Sequence, residues 1–490
     1  MNVFYANKLR QTIFHAMQMF STPAVSVSVI QNGEIIFSEG FGTRTLGKNE
    51  SVDDQTSYAI ASMSKSTVSA SLAILHEQKA FDWEDPVSKY LPEFRLYDDF
   101  ASKEIRVLDL LIHNCGLRSE SAGTIWYGSD YSRAEIIRKL RFLHPVSSFR
   151  SKQAYQNVCF LAAGLIIQAI TGQTWDDFVT QNIFSPLHML RTFPNIASLR
   201  LSGIGNIATP HAMIDGKLSI IPYRDHDNVG PAASVHSTSH DLAQYLLMFL
   251  NHGSFENRSI LSPESIDFIH KPHMLYTQSQ EETIIHPRMR STFPTFGLGW
   301  RVQDYCGMKS VGHSGGVDGM RGRMEMLPEI NSGVVVLTNS EDRRTYYSTL
   351  YTALDMLAGF EPVDWVEAWK KDPESNKQLS VPEKIPNTNP SLALNQYTGI
   401  YQDSAYGELS VKQENNNLVL RFSHTPAFTA DLEHWHYDTF RITWRDPYIP
   451  KGLVTFLIGS NGKVNALHLD QPRLLDVDFS ELDDAIRKIN

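Results

Sequence analysis

The chain has 490 residues, a formal net charge of −10 and 42% apolar residues. That length corresponds to two or three domains and supplies a sizeable core. An acidic chain without a basic tract is a poor match to nucleic acid or to an anionic membrane surface. Cys115, Cys159 and Cys306 are odd in number and far apart, which indicates neither a disulfide framework nor a zinc site.

In residues 1–24, Gln11, His15 and Gln18 interrupt any apolar run after Lys8 and Arg10. Neither a secretory signal nor a transmembrane span is read there. The expectation is a cytoplasmic protein, or a periplasmic one if a signal has been removed.

Val25 to Val29 alternates strictly with serine, which predicts a strand with one buried face. Asn32-Gly33 then turns the chain into a second strand at Glu34 to Phe37. Ala61 to Thr67 contains Ser62-x-x-Lys65 and runs into a helical pattern at Val68, Leu72 and Leu75. On a helix Lys65 stands one turn from Ser62, within reach of its hydroxyl. A serine becomes a nucleophile only beside a base, and a desolvated lysine is one. Ser-x-x-Lys also arises without function. Ser460-Asn461-Gly462-Lys463 fits it too, but its Asn-Gly lies between apolar runs and predicts a hairpin. Ser62 itself has an ordinary alternative as a helix N-cap.

Leu108 to Ile112 is an apolar run leading into His113-Asn114-Cys115-Gly116-Leu117. Tyr155-Gln156-Asn157 precedes an apolar helix from Val158 to Ile170, with Gly172 placed as its terminating residue. Thr174 to Asp177 and Thr238 to Asp241 read as capped starts of further helices, the second reaching Leu250. Phe296 to Trp300, Gly312 to Gly316, Arg321 to Met326 and Gly333 to Leu337 read as strands. They are followed by a helix from Arg343 to Ala358 with Tyr346, Leu350, Ala353, Leu354 and Leu357 on one stripe. Strands at both ends around a helix-rich middle predict one sheet with a helical insert. The composition turns to Lys, Asp, Glu, Asn and Pro from Lys370 to Asn389, as in a linker. Short alternating runs from Tyr397 to Leu469 then predict a small antiparallel β-barrel or sandwich. The expected organisation is a catalytic domain over 1–365, a linker over 366–392 and a barrel-like domain over 393–490.

Ser62-x-x-Lys65, Tyr155-x-Asn157 and His313-Ser314-Gly315, in this order, resemble the motifs of the serine β-lactamase-like superfamily: class C β-lactamases, D-Ala-D-Ala carboxypeptidases, D-aminopeptidases and esterases. The resemblance covers roughly residues 20 to 360, and the terminal domain is similar to lipocalin-like modules appended to such hydrolases. It implies an α/β (α+β) fold, an antiparallel sheet flanked by helices with a helical insert. It implies no cofactor and no metal, a small-molecule or peptide substrate, and amide or ester hydrolysis. Ser62 would form an acyl-enzyme with help from Lys65. Tyr155 would carry the proton to the leaving group, which requires a lowered pKa. Asn157 would fix Lys65 and the substrate amide. The N–H groups of Ser62 and Gly316 would form the oxyanion hole, worth about 3–4 kcal/mol of barrier, while His313, Ser314 and Gly315 would contact substrate. Taken singly, Tyr155 fits a core position, Asn157 an N-cap and His313 an ordinary strand.

Where β-lactamases and penicillin-binding proteins have Lys-Thr-Gly, this chain has His-Ser-Gly. A permanent cation for a substrate carboxylate is thus replaced by a titratable group. The same residues, Gly312-His313-Ser314-Gly315-Gly316, also fit the Gly-x-Ser-x-Gly elbow of an α/β-hydrolase with Ser314 as nucleophile. That reading demands a helix after Ser314, and the sequence there is strand-like. A third reading is a silent penicillin-binding or sensor protein that acylates without turnover. His434-x-His436 lacks the context of a metal site. Segments 118–150 and 275–295 are expected to line the pocket, and the terminal domain to cap the cleft or join subunits into a homo-oligomer.

Overall fold

A computed structural model describes residues 3–277, 284–373 and 381–489. The chain forms two compact units. The first comprises Met1–Pro92, Lys103–Gly116 and Ser148–Asn376, and the second Glu93–Ser102, Leu117–Ser147 and Lys377–Asn490.

The first unit is built on one antiparallel sheet. Its strands are β1 Ala24–Gln31, β2 Glu34–Gly42, β3 Met274–Leu275, β4 Thr295–Phe296, β5 Arg301–Tyr305, β6 Met308–Val317, β7 Met320–Leu327 and β8 Ser332–Thr338. They lie in the order β2-β1-β8-β7-β6-β5-β4-β3. The first strand therefore pairs with the last, Val27 opposite Val336, and the helices inserted between β2 and β3 carry the chain from one edge of the sheet to the other. The β1–β2 turn has Asn32 and Gly33 both at positive φ, 53° and 78°, the geometry that fits the twist of a two-residue hairpin.

Helices cover both faces: α1 Val3–Met19 and α5 Arg343–Leu357 on one, α4 Ser239–Leu250 on the other, with α2 Ser64–Glu77 and α3 Asn157–Thr171 in the insertion. Val25, Val27 and Val29 share a core with Leu9, Ile13 and Ala16 of α1 and with Leu350, Ala353 and Leu354 of α5. The opposite face of β1 is not solvated, as alternation with serine implies, but equally buried. Ser26 and Ser28 are closed off there because their hydroxyls find partners, Ser26 with the Asp53 carbonyl and Tyr58, Ser28 with Ser38. The expected strand at Phe296 to Trp300 also differs. It breaks after Phe296, and Gly299 takes φ 71°. A Cβ on Gly299 would stand 2.8 Å from the Lys65 carbonyl, so this bend is shaped by contact with α2.

Helix α2 is buried from Ser64 to Ala73 although five of its first eight residues are Ser or Thr. Their hydroxyls bond back along the helix: Ser66 to Met63 O, Thr67 to Ser64 O, Ser69 to Ser66 O and Ser71 to Thr67 O. Each polar group is satisfied internally, so a polar helix tolerates the core.

The second unit is a closed barrel of eight strands: β9 Gly399–Gln402, β10 Glu408–Glu414, β11 Asn417–Phe422, β12 Thr429–His436, β13 Thr439–Trp444, β14 Gly452–Ile458, β15 Val464–Asp470 and β16 Ile486–Lys488. Ser460 to Lys463 forms the β14–β15 hairpin turn, with Gly462 at φ 72°. Residues 117–147 belong to this unit. Glu481 accepts from the backbone N–H of Ala122 and Thr124 at 2.7 and 3.1 Å, and Lys139 donates to the Ala405 and Tyr406 carbonyls. Of the other segment expected at the pocket, 278–283 lie outside the described residues, as do 374–380 of the expected linker.

Candidate active site

Ser62 sits in a single 3-10 turn, Ala61–Met63, that leads directly into α2. It is thus two residues before the first residue of the α-helix proper. Ala61 before it has φ 52°, a left-handed conformation rare outside glycine and a mark of local strain. The turn is pinned by the Ile60 N–H to the Val235 carbonyl and by Ser64 Oγ, which donates to the Ala61 carbonyl at 2.6 Å.

Lys65 is completely buried. Its Nζ donates to Ser62 Oγ at 3.0 Å, Asn157 Oδ1 at 2.7 Å and the Ala232 carbonyl at 3.0 Å. Three donors meet three neutral acceptors in fixed directions, which satisfies an ammonium without a carboxylate in that set. Nζ also lies 4.7 Å from the centre of the Tyr155 ring and 5.6 Å from that of Phe160. Asn157 is the first residue of α3, and Tyr155 lies two residues earlier, outside any regular element. The Ala232 carbonyl comes from the short helix Gly230–Ala233. As a backbone group it left no mark in the sequence.

Strand β6 supplies the remaining wall. Beside it β5 reaches only as far as Gly312, opposite Arg301, whereas β7 continues along it to Val317. From His313 to Val317 one edge of β6 is therefore unpaired by any strand among the described residues. A Cβ on Gly315 would stand 2.0 Å from the Ile60 carbonyl, so this glycine permits the strand to close on the turn that bears Ser62. On Gly316 a Cβ would meet the Arg321 guanidinium at 2.0 Å. Ser314 is in mid-strand, paired with Arg323, and not in a strand-to-helix turn. The nucleophile-elbow reading is thereby set aside.

His313 is 2% exposed, with its ring centre 6.1 Å from that of Tyr155. Burial pushes its pKa well below the usual histidine range, reinforced by Lys65 and Arg301. It is neutral at pH 7. Nδ1 lies 2.6 Å from the Ser314 carbonyl, an acceptor, so Nδ1 holds the proton and Nε2 offers a lone pair. His113, given no role from the sequence, is also buried against the Tyr155 ring. Cys115 and Cys159 are buried thiols with sulfurs 3.7 Å apart.

Residues 9–355 match the family described as Beta-lactamase. The chain belongs to that family. Residues 383–487 match a domain of unknown function, DUF3471. The chain is 23% identical over 465 residues to the unguisins hydrolase ungD of Aspergillus violaceofuscus, a match covering 88% of this chain and 82% of that one. It is 24% identical over 338 residues to protein flp of Staphylococcus aureus strain COL, covering 67% and 61%. The solved octameric penicillin-binding protein homologue from Pyrococcus abyssi has the same fold, with TM-score 0.63 at 23% identity over 96% of this chain and 98% of that one. Among the described residues no single helix is long and apolar enough to cross a membrane, and no group of three or more His, Cys, Asp or Glu is placed to hold a metal ion.

Proposed function

We propose that this member of the beta-lactamase family is a serine hydrolase that opens amide or ester bonds through an acyl-enzyme on Ser62. The observation that carries the reading is Lys65 Nζ, 3.0 Å from the Ser62 hydroxyl and held at 2.7 Å by Asn157. Lys65 first sheds one proton of its resting ammonium, and the free amine then takes the hydroxyl proton when Ser62 attacks a carbonyl. Tyr155, its ring against the lysine, passes that proton to the leaving group and then directs water at the ester. The developing oxyanion is received by the N–H of Ser62 and that of Gly316 on the unpaired edge of β6. Likeness to an enzyme named as a hydrolase supports hydrolysis as the reaction class.

The substrate is uncharged where it meets His313. A lone pair at Nε2 repels a carboxylate and accepts from an amide N–H or a hydroxyl. Internal amides and esters are therefore favoured over peptides with a free carboxylate next to the scissile bond. A screen of p-nitrophenyl esters, nitrocefin and D- and L-amino-acid amides tests this. Turnover of esters or amides that is abolished by Ser62→Ala and kept by Ser314→Ala is expected. Turnover surviving Ser62→Ala would overturn it.

A further inference from the structure

Tyr155 has no secondary structure of its own to hold it, since residues 153–156 belong to neither helix nor strand. The backbone on both sides of it is held by one residue, His113, from a different part of the chain. The His113 carbonyl accepts from the Ala154 N–H at 2.7 Å, and its side-chain Nδ1 accepts from the Gln156 N–H at 3.0 Å. The peptide N–H groups on either side of Tyr155 are thus tied to the same residue. Between these two bonds the imidazole lies on the Tyr155 ring, centres 4.5 Å apart and planes inclined by 35°. Phe160 and Phe296 hold the imidazole in turn, at 5.3 and 5.2 Å.

The arrangement has costs that packing alone does not explain. His113 takes φ 62°, a left-handed backbone for a residue with a ring at Cβ. With Nδ1 accepting, the proton sits on Nε2, which is buried with no hydrogen-bond partner among the described residues. The strained backbone aims the carbonyl and the ring at the same short segment, and an observed outlier of this kind points to function.

We propose that His113 is a positioning residue that fixes Tyr155 beside Lys65 by clamping the peptide on both sides of it and bearing on its ring. Only the neutral imidazole fits this role, since a protonated Nδ1 would face the Gln156 N–H as a second donor. The surroundings hold it neutral: burial and the nearby Lys65 push its pKa well below the ordinary histidine value, with Arg301 adding to the effect. The inference rests on Tyr155 being the proton carrier of the acyl-enzyme mechanism proposed above.

The test compares His113→Ala, His113→Asn and Tyr155→Phe, alone and combined, in the full chain. The readouts are Ser62 acylation by p-nitrophenyl acetate, kcat and KM, and hydrogen exchange of the peptide containing Gln156. Asparagine tolerates positive φ and keeps an acceptor where Nδ1 was, but has no ring. Expected are a roughly 100-fold slower acylation with His113→Ala and only about tenfold with His113→Asn, KM nearly unchanged in both. Gln156 should lose protection in His113→Ala. Adding His113→Asn to Tyr155→Phe should cost nothing more, because the positioned group is gone. Losses that multiply in the double variant, or unchanged exchange at Gln156, overturn the role of His113 and leave the Ser62 mechanism standing. Tyr155→Phe acylating like wild type overturns the mechanism itself, and the assignment to His113 with it. If His113→Ala does not fold, His113→Asn alone decides through its kcat and its double-variant cycle.

Discussion

Asn157→Asp is the sharpest perturbation of the lysine. It changes one atom and keeps the side-chain shape, but turns the neutral acceptor 2.7 Å from Lys65 Nζ into an anion. Burial removes most solvent screening, so the carboxylate stabilises the ammonium over the free amine. An opposite charge at this range favours the charged form by about 1 to 3 powers of ten. The free amine, and with it the acylation rate at neutral pH, should fall about 10- to 1,000-fold. The sign then fixes the pH dependence: the loss shrinks as pH rises, because alkali strips the proton that the new anion retains. Asn157→Ala acts differently. It removes a buried bond to a charged group, about 1.5–3 kcal/mol, which lowers stability as well as rate and gives no recovery in alkali. Stopped-flow acylation by p-nitrophenyl acetate between pH 6 and 10, with thermal midpoints as controls, separates the two. An aspartate variant that acylates at the wild-type rate and folds normally would refute Lys65 as the base.

Gly315→Ala should reduce turnover at least 100-fold while costing only about 1–3 kcal/mol of stability, because its Cβ, 2.0 Å from the Ile60 carbonyl, pushes β6 off the Ser62 turn. Steady-state kinetics and urea unfolding check both halves. Acid should weaken the fold through His270, whose pKa burial pushes down to about 3, with Lys309 contributing. Between that value and the unfolded one near 6.5 the unfolded chain binds the extra proton. This contribution to stability is therefore complete above pH 6.5 and lost as pH falls. At pH 5 the loss is about 2 kcal/mol, and His270→Phe should remove that part of the difference between unfolding curves at pH 7 and pH 5.

What could be read from the sequence was whatever is local. Asn32-Gly33 specifies its hairpin by backbone preference, and Ser62 and Lys65 are linked by helical spacing alone. Helix α1 is marked only by Leu9, Ile13, Ala16 and Phe20 at helical intervals, a pattern easily hidden where Gln11, His15 and Gln18 break every apolar run. Ser26 and Ser28 mislead for a related reason: a small hydroxyl with a buried partner looks like a solvent-facing residue. The Ala232 carbonyl has no side-chain signature. The clamp at His113 depends on a positive φ and on two backbone bonds, none of which one histidine in a list of eighteen announces. That residues 117–147 group with the barrel is a property of tertiary contacts such as Glu481 with Ala122, more than 300 residues apart.

Peptide mapping by mass spectrometry after a short reaction with p-nitrophenyl acetate or a fluorophosphonate tests the central claim most directly. Expected is a stoichiometric adduct on the Ser62 peptide, absent in Ser62→Ala, strongly slowed in Lys65→Ala, and unaffected by Ser314→Ala. A stoichiometric adduct elsewhere, or one on Ser62 that forms as fast without Lys65, would contradict it.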